Sequence, residues 1–432
     1  MRCIFGHYFI NSILDTEAPY HMKFGIVRER KNPPDRRVVF SPDAVAQLKT
    51  NYPQSEWVVE SSPIRVFSDD EYRAKGIEVV NDLSDCDVIF GVKEIPIDAL
   101  IPDKNYFFFS HTIKMQPHNQ KLLRALLDKN ITLFDHETIV DAHDRRLIGF
   151  GFYAGVVGAY NGFRAFGAKF ELFDIPKAEN LAHQEDLIAS LKRHMLPPIK
   201  IVLTGHGKVA HGAMAILDGI KIKKVSIADF LNKTYDRPVY TQIDVLDYNK
   251  RIDGQVGSKS DFYQNPELYC SDFGRFSEVT DLFMAGHFYA PGAPIILSKE
   301  MLQSPKCSIK VVADISCDVE GPIACTLRAS TIADPIFGYL PATGEEVSYR
   351  HPSAVVVMSV DNLPCELPKD ASIGFGAMFM EHVIPAFFNN DESQLLKRAM
   401  VVTKGQLTPK FEYLTDYANE STLIVPSETT IT

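Results

Sequence analysis

Four residues carry chemistry at the ends of short apolar runs. Lys93 and Glu94 follow VIFGV, His111 follows YFFFS with Lys114 and Gln116 just beyond it, and Glu137 follows ITLF. A lysine, a histidine and two carboxylates are the groups that move protons to and from an amine. Desolvation and neighbouring positive charge lower a lysine pKa, while a carboxylate tunes an imidazole. These residues are distant in the chain. They act together only if the runs before them are parallel strands of one sheet, because ligands bind outside the carboxyl ends of such strands. The competing reading is three ordinary charged strand ends. A basic set, Arg28, Arg30, Lys31, Arg36 and Arg37, brackets the segment between the first strand and the first helix. An Arg fork can grip a carboxylate; a solvated loop explains the same residues.

A second signal lies further on. The strand pattern IKIVLTG runs into Gly205-His206-Gly207-Lys208-Val209-Ala210 and then into a helical pattern. This is the G-x-G-x-x-A form of the dinucleotide fingerprint. Gly205 permits the tight turn, Gly207 lets the backbone approach a pyrophosphate, and Ala210 keeps helix and sheet close. Lys208 and Val209 open the helix, whose N-terminus favours the anion. A packing turn is the alternative. The acid that binds ribose is expected about 20 residues on. That stretch reads IKKVSIADFL, where Ser226 and Asp229 look like a helix cap beside Lys223 and Lys224. The cofactor is therefore NAD or NADP, with the lysines leaning towards NADP. His206 and His211 are five residues apart, not the four that put two ligands on one helical face, so no metal site is expected.

The chain has 432 residues, enough for two or three domains, and 45% apolar residues to fill their cores. Its net charge of −10 argues against a nucleic-acid partner, which usually selects a basic surface. Seven scattered cysteines without a CxxC pair suit a reduced, cytoplasmic protein without structural zinc, with one disulfide left open. No apolar run reaches the roughly 18 residues of a membrane span. Residues 1–21 lack the apolar core and cleavage site of a leader and read as a weakly ordered extension, with the first domain starting at Met22.

From 22 to 150, short apolar strands alternate with helical patterns, which predicts a mostly parallel α/β sheet. The first helix opens with Ser41 as N-cap and Pro42 in its first turn. Residues 150–170 form a Gly- and Ala-rich helix that reads as a linker. Residues 151–345 read as a Rossmann dinucleotide-binding domain including that linker. Residues 346–432, from the strand AVVVMSV to the apolar helix ending AFFN, read as a return to the first domain.

Taken together, these segments resemble the family of alanine dehydrogenases and saccharopine dehydrogenases, including the lysine-ketoglutarate reductase domain. GIVRERKNPPDRRVVFSP is similar to the family's opening, VIFGVKEIP and FFFSHTIKMQ to the segments with its active-site Lys and His, and TLFDHETI to the one with an active-site acid. RRLIGFGFYAGVVGA, ADISCD and SVDNLPCELPKDAS resemble the saccharopine branch. The resemblance implies two Rossmann-like domains with an active site in the cleft between them. It implies interconversion of saccharopine with lysine and 2-oxoglutarate, catalysed by Lys93, His111 and Glu137. It further implies Arg37, Arg28 and Glu94 on the amino-acid substrate, and Asp314 beside the glycine loop on the cofactor. A homo-oligomer is compatible with it. Oxidative deamination of a simple amino acid, another opine reaction, or dinucleotide binding without catalysis are the alternatives.

Overall fold

A computed structural model describes residues 21–290 and 292–419. They divide into two compact units. One runs up to Gly149 and resumes at Ala371; the other spans Phe150–Asp370.

The first unit is built on strands β1 (Met22–Ile26), β2 (Ser55–Glu60), β3 (Glu78–Val80), β4 (Val88–Phe90), β5 (Asn105–Phe108) and β6 (Thr132–Asp135). The sheet order is 406–407, 400–403, β6, β5, β4, β1, β2, β3. All pairs from β6 to β3 are parallel, and only the two late strands are antiparallel. One face is an aromatic row. Phe24 stacks on Trp57 at 4.4 Å, and Phe107 on Phe134 at 4.4 Å, with Phe90 5.0 Å from Phe107. Alternate residues of adjacent strands share a face, so one large ring per strand suffices to tile it. Phe379 and Phe387 close over that row, 5.8 and 6.4 Å from Phe90. The first helix among the described residues is Pro42–Asn51, with the Ser41 hydroxyl accepting from the Ala44 N–H as its sequence predicts.

The stretch Pro368–Phe388 is long and apolar enough to cross a membrane by length and composition, which corrects the expectation that none would be. Its Phe375 and Phe379 are buried, packed on Phe109, Phe40 and Phe90.

The main sheet of the second unit also has eight strands. They include β7 (Lys200–Thr204), β8 (Lys223–Lys224) and β9 (Val239–Ile243). Its order is 345–347, 336–340, 355–358, 311–314, 282–285, β7, β9, β8. The six strands from 355–358 to β8 are parallel. Strand Val355–Met358, which the sequence reading placed in the return to the first domain, pairs here with Val311–Asp314. Its three buried valines and one buried methionine complete this core, so the first unit resumes at Ala371 rather than near 346.

The Gly-rich helix Gly151–Phe170, read as a linker, is a core helix of this unit. It crosses helix Lys208–Gly219 at backbone contact. A Cβ on Gly155 would lie 1.8 Å from the Val209 carbonyl oxygen, and one on Gly212 would lie 1.8 Å from that of Phe152. Two reciprocal glycines thus set the distance between the helices. The expected extension, residues 1–21, lies outside the described residues except for His21.

Candidate active site

Because β4, β5 and β6 are adjacent and parallel, the segments that follow them meet. Lys93 Nζ lies 2.9 Å from His111 Nε2, and His111 Nδ1 lies 3.2 Å from Glu137 Oε2. Lys114 Nζ sits 2.9 Å from the other Glu137 oxygen. Burial opposes ionisation of Glu137, but His111 and Lys114 outweigh it and bring the carboxyl down to about 2. An ionised Glu137 accepts the Nδ1–H of His111, which leaves Nε2 to accept from Lys93. Burial holds the Lys93 ammonium below its ordinary value; Lys31 and Arg37 act the same way, against the pull of Glu94. The result is a lysine able to give up a proton, joined to an imidazole able to take it.

Glu94 belongs to the same cluster, its carboxylate 3.7 Å from both Lys93 Nζ and His111 Nε2 and 3.6 Å from Lys31. Burial raises the Glu94 pKa, but Lys93 leads the opposing charges and the net shift is downward. Its Oε2 is buried without a hydrogen-bond partner.

Two further residues were not singled out from the sequence. Glu29 accepts the backbone N–H groups of Val92 and Lys93, at 2.7 and 2.9 Å, and so ties down the turn that carries Lys93. Arg146 lies over the Phe109 ring at 5.2 Å and 3.8 Å from Glu137, with a partly exposed side chain. Arg146 is part of the quoted RRLIGF segment, where the motif rather than the spacing marks it.

Four of the residues read from the sequence have their groups engaged elsewhere. Arg37 is buried, and its Nε and Nη2 donate to Asp35 at 3.0 and 2.6 Å. The fork read as a substrate clamp already holds an internal carboxylate two residues away. Arg28 and Arg30 gather on Glu60 at the end of β2, not on the Lys93 cluster. Gln116 lies in the segment after His111, where its side chain accepts from Asn119.

In the second unit the glycine loop is formed as the fingerprint requires. Gly205 has φ +93°, and a Cβ there would lie 2.6 Å from the Gly286 carbonyl oxygen. Around Gly207 there is open space, so a side chain would fill the place a pyrophosphate needs. Ala210 is fully buried against the sheet. Gly205, Gly207, Lys208 and Val209 line a cavity of about 440 Å³ together with Asp244, Lys259 and His287.

The sequence reading sought an acid about 20 residues after the loop and so did not reach Asp244. That stretch forms β8, two exposed residues at the sheet edge. The strand beside β7 is β9, and Asp244 follows its last residue. Asp244 pairs with Lys259. Ser226 does cap a helix, accepting from the Asp229 N–H at 3.1 Å.

Asp314 corrects another expectation. It is fully buried, and its oxygens are taken by Ser316, Thr326 and the Cys317 N–H at 2.7, 2.6 and 3.0 Å. It braces its own loop and does not line the cavity.

His206 and His211 are exposed. His183, Glu185 and Asp370 bring ligand atoms within 4.8 Å of one another. Both Asp370 oxygens are already engaged there, by the His183 imidazole and the Gln184 N–H.

Comparison with known proteins bears on both units. Residues 25–157 match the model of the alanine dehydrogenase/PNT N-terminal domain. Lys93, His111 and Glu137 all lie within the matched residues.

The chain is 30% identical over 437 residues to an alpha-aminoadipic semialdehyde synthase of Arabidopsis thaliana, covering 90% of this chain and 41% of that protein. It is 26% identical over 367 residues to the saccharopine dehydrogenase [NAD(+), L-lysine-forming] of Neurospora crassa, covering 79% of this chain and 85% of that one. It spans less than half the length of the semialdehyde synthases it matches, 41% for Arabidopsis and 47% for the rat protein. An L-alanine dehydrogenase structure shares the fold with a TM-score of 0.61 at 18% identity, over 92% of this chain and all of that one.

Proposed function

We propose that the chain is a nicotinamide-dependent oxidoreductase acting on a CH–NH bond, with saccharopine, or lysine plus 2-oxoglutarate, as substrate. The observation that carries this reading is the hydrogen-bonded line Lys93–His111–Glu137 at the ends of three adjacent parallel strands. The names of the Arabidopsis and Neurospora relatives support it.

When bound, the nicotinamide exchanges a hydride with the carbon that bears the amine. Lys93, held partly towards its neutral form by burial, takes the proton that the secondary amine must lose. His111 receives it in turn and hands protons to and from the water that cleaves the C–N bond. Glu137 stays ionised and stabilises the imidazolium. Glu94 Oε2, which has ion-pair partners but no hydrogen-bond partner, offers an acceptor to a substrate N–H, and Arg146, with a partly exposed side chain, offers its guanidinium to a substrate carboxylate.

NAD is the favoured nicotinamide. Asp244 follows the strand beside the glycine loop and lines its cavity, where an acid binds the ribose 2′-hydroxyl and repels a 2′-phosphate. This reverses the lean towards NADP that Lys223 and Lys224 suggested.

A test incubates saccharopine, lysine plus 2-oxoglutarate, and alanine with each nicotinamide and identifies the products by mass spectrometry. The proposal expects lysine and 2-oxoglutarate from saccharopine. Pyruvate from alanine with no saccharopine turnover would refute it.

A further inference from the structure

His111 has a backbone that its side chain does not favour. Its φ is +54° and its ψ 12°, in the left-handed region. A residue other than glycine takes such a conformation uncommonly, histidine less rarely than most, and backbone strain of this kind clusters at functional sites. Here the two neighbours impose it. Ser110 and Thr112 are both fully buried. Their hydroxyls lie 2.7 Å apart, and the Thr112 N–H donates back to the Ser110 hydroxyl at 3.2 Å.

One side chain anchors this bracket. Asp135, fully buried at the end of β6, accepts the Ser110 N–H at 3.0 Å and the Ser110 hydroxyl on Oδ2. Its Oδ1 accepts the Glu137 N–H at 2.7 Å. The loop bearing His111 and the loop bearing Glu137 are thus fastened to the two oxygens of one carboxylate. We propose that Asp135 is the positioning residue of the site, fixing the His111 imidazole against Glu137 by clamping the backbone of both loops.

The chemistry of the clamp requires a carboxylate. All three groups aimed at Asp135 are donors, and only an acceptor-only side chain satisfies three donors on two oxygens. An amide in its place keeps one oxygen. Turned to serve the two Ser110 donors, it points its NH₂ at the Glu137 N–H, so Asp135→Asn releases the Glu137 arm. Ser110→Ala removes only the hydroxyl and loosens the His111 arm.

Two readouts separate positioning from general support. The first is the pair of imidazole ¹⁵N signals of His111, recorded on histidine-labelled protein and assigned by their loss in His111→Gln. Both Asp135→Asn and Ser110→Ala should move the Nδ1 signal, because its contact with Glu137 changes. The second is a double-mutant cycle in turnover, which rests on the reaction proposed above. Asp135→Asn should lower turnover by roughly 10²-fold, the scale of a misplacement near 1 Å, with the KM for the nicotinamide unchanged. In a His111→Gln background it should cost little more.

Unchanged His111 signals in the folded variants would overturn the proposal, as would an undiminished loss in the His111→Gln background. If Asp135→Asn fails to fold, Ser110→Ala alone decides by the same signals. A wild-type chain without turnover would count against the proposed reaction, and the signals would still judge the clamp.

Discussion

Lys93 Nζ and His111 Nε2 stand 2.9 Å apart, and the far side of the same imidazole meets Glu137. Lys93 and His111 are 18 residues apart in the chain. They meet because β4 and β5 pair in parallel and end on one rim.

Arg146, not Arg37, is predicted to hold a substrate carboxylate. Arg146→Ala should raise the KM for the amino-acid substrate about tenfold or more while sparing the KM for the nicotinamide. Arg37→Ala should instead destabilise the fold, by about 3 kcal/mol or more, because it removes one partner of a buried ion pair with Asp35. Steady-state kinetics and urea denaturation of both variants check this. A pure KM effect in a fully stable Arg37→Ala would restore the motif-based assignment.

The Glu137 pair gives a pH signature. Its folded pKa of about 2 lies below the ordinary 4.5. A depressed carboxyl contributes stability above its unfolded pKa and loses it as pH falls towards the folded value. The Tm advantage of wild type over Glu137→Gln should therefore be full above about pH 4.5 and shrink as the pH approaches about 2. Thermal melts across that window test it; an advantage that does not change with pH would remove the ionic term.

Cofactor choice turns on Asp244. Asp244→Ala should weaken NAD binding about tenfold, near the 1.5 kcal/mol of a hydrogen bond to a charged group, and leave NADP binding equal or stronger. Gly207→Val should weaken both by filling the open space above the loop. Fluorescence titration with each nicotinamide distinguishes them. Equal losses for both cofactors in Asp244→Ala would take Asp244 out of ribose recognition.

The helix crossing makes a structural prediction. Gly155→Val puts a Cβ into the Val209 carbonyl and should cost about 3 kcal/mol or more, at the upper end for overpacking. Chemical denaturation measures it, and a neutral effect would mean that the helices do not touch there.

Much of this was legible in the sequence because it follows from local pattern. The strand ends carrying Lys93, His111 and Glu137, the Ser41 cap and the glycine loop are all set by short-range periodicity and by residue types with one structural use. What escaped depends on order and partner choice. Asp244 was hidden because β9, five buried residues, takes the place beside β7 and leaves the exposed β8 at the edge. For Arg37, the sequence shows the charge of the guanidinium but not that Asp35 already answers it. Asp314 likewise matched a motif, while its burial follows only from the three donors around it.

Turnover of saccharopine by Lys93→Met, by His111→Gln and by the double variant tests the proton relay most directly. Each single change should lower kcat by roughly 10²–10⁴-fold, the range of lost acid–base catalysis. Because the two groups work as one unit, the double variant should fall little below the weaker single one. Losses that multiply in the double variant, or near-normal turnover in either single one, would contradict the relay.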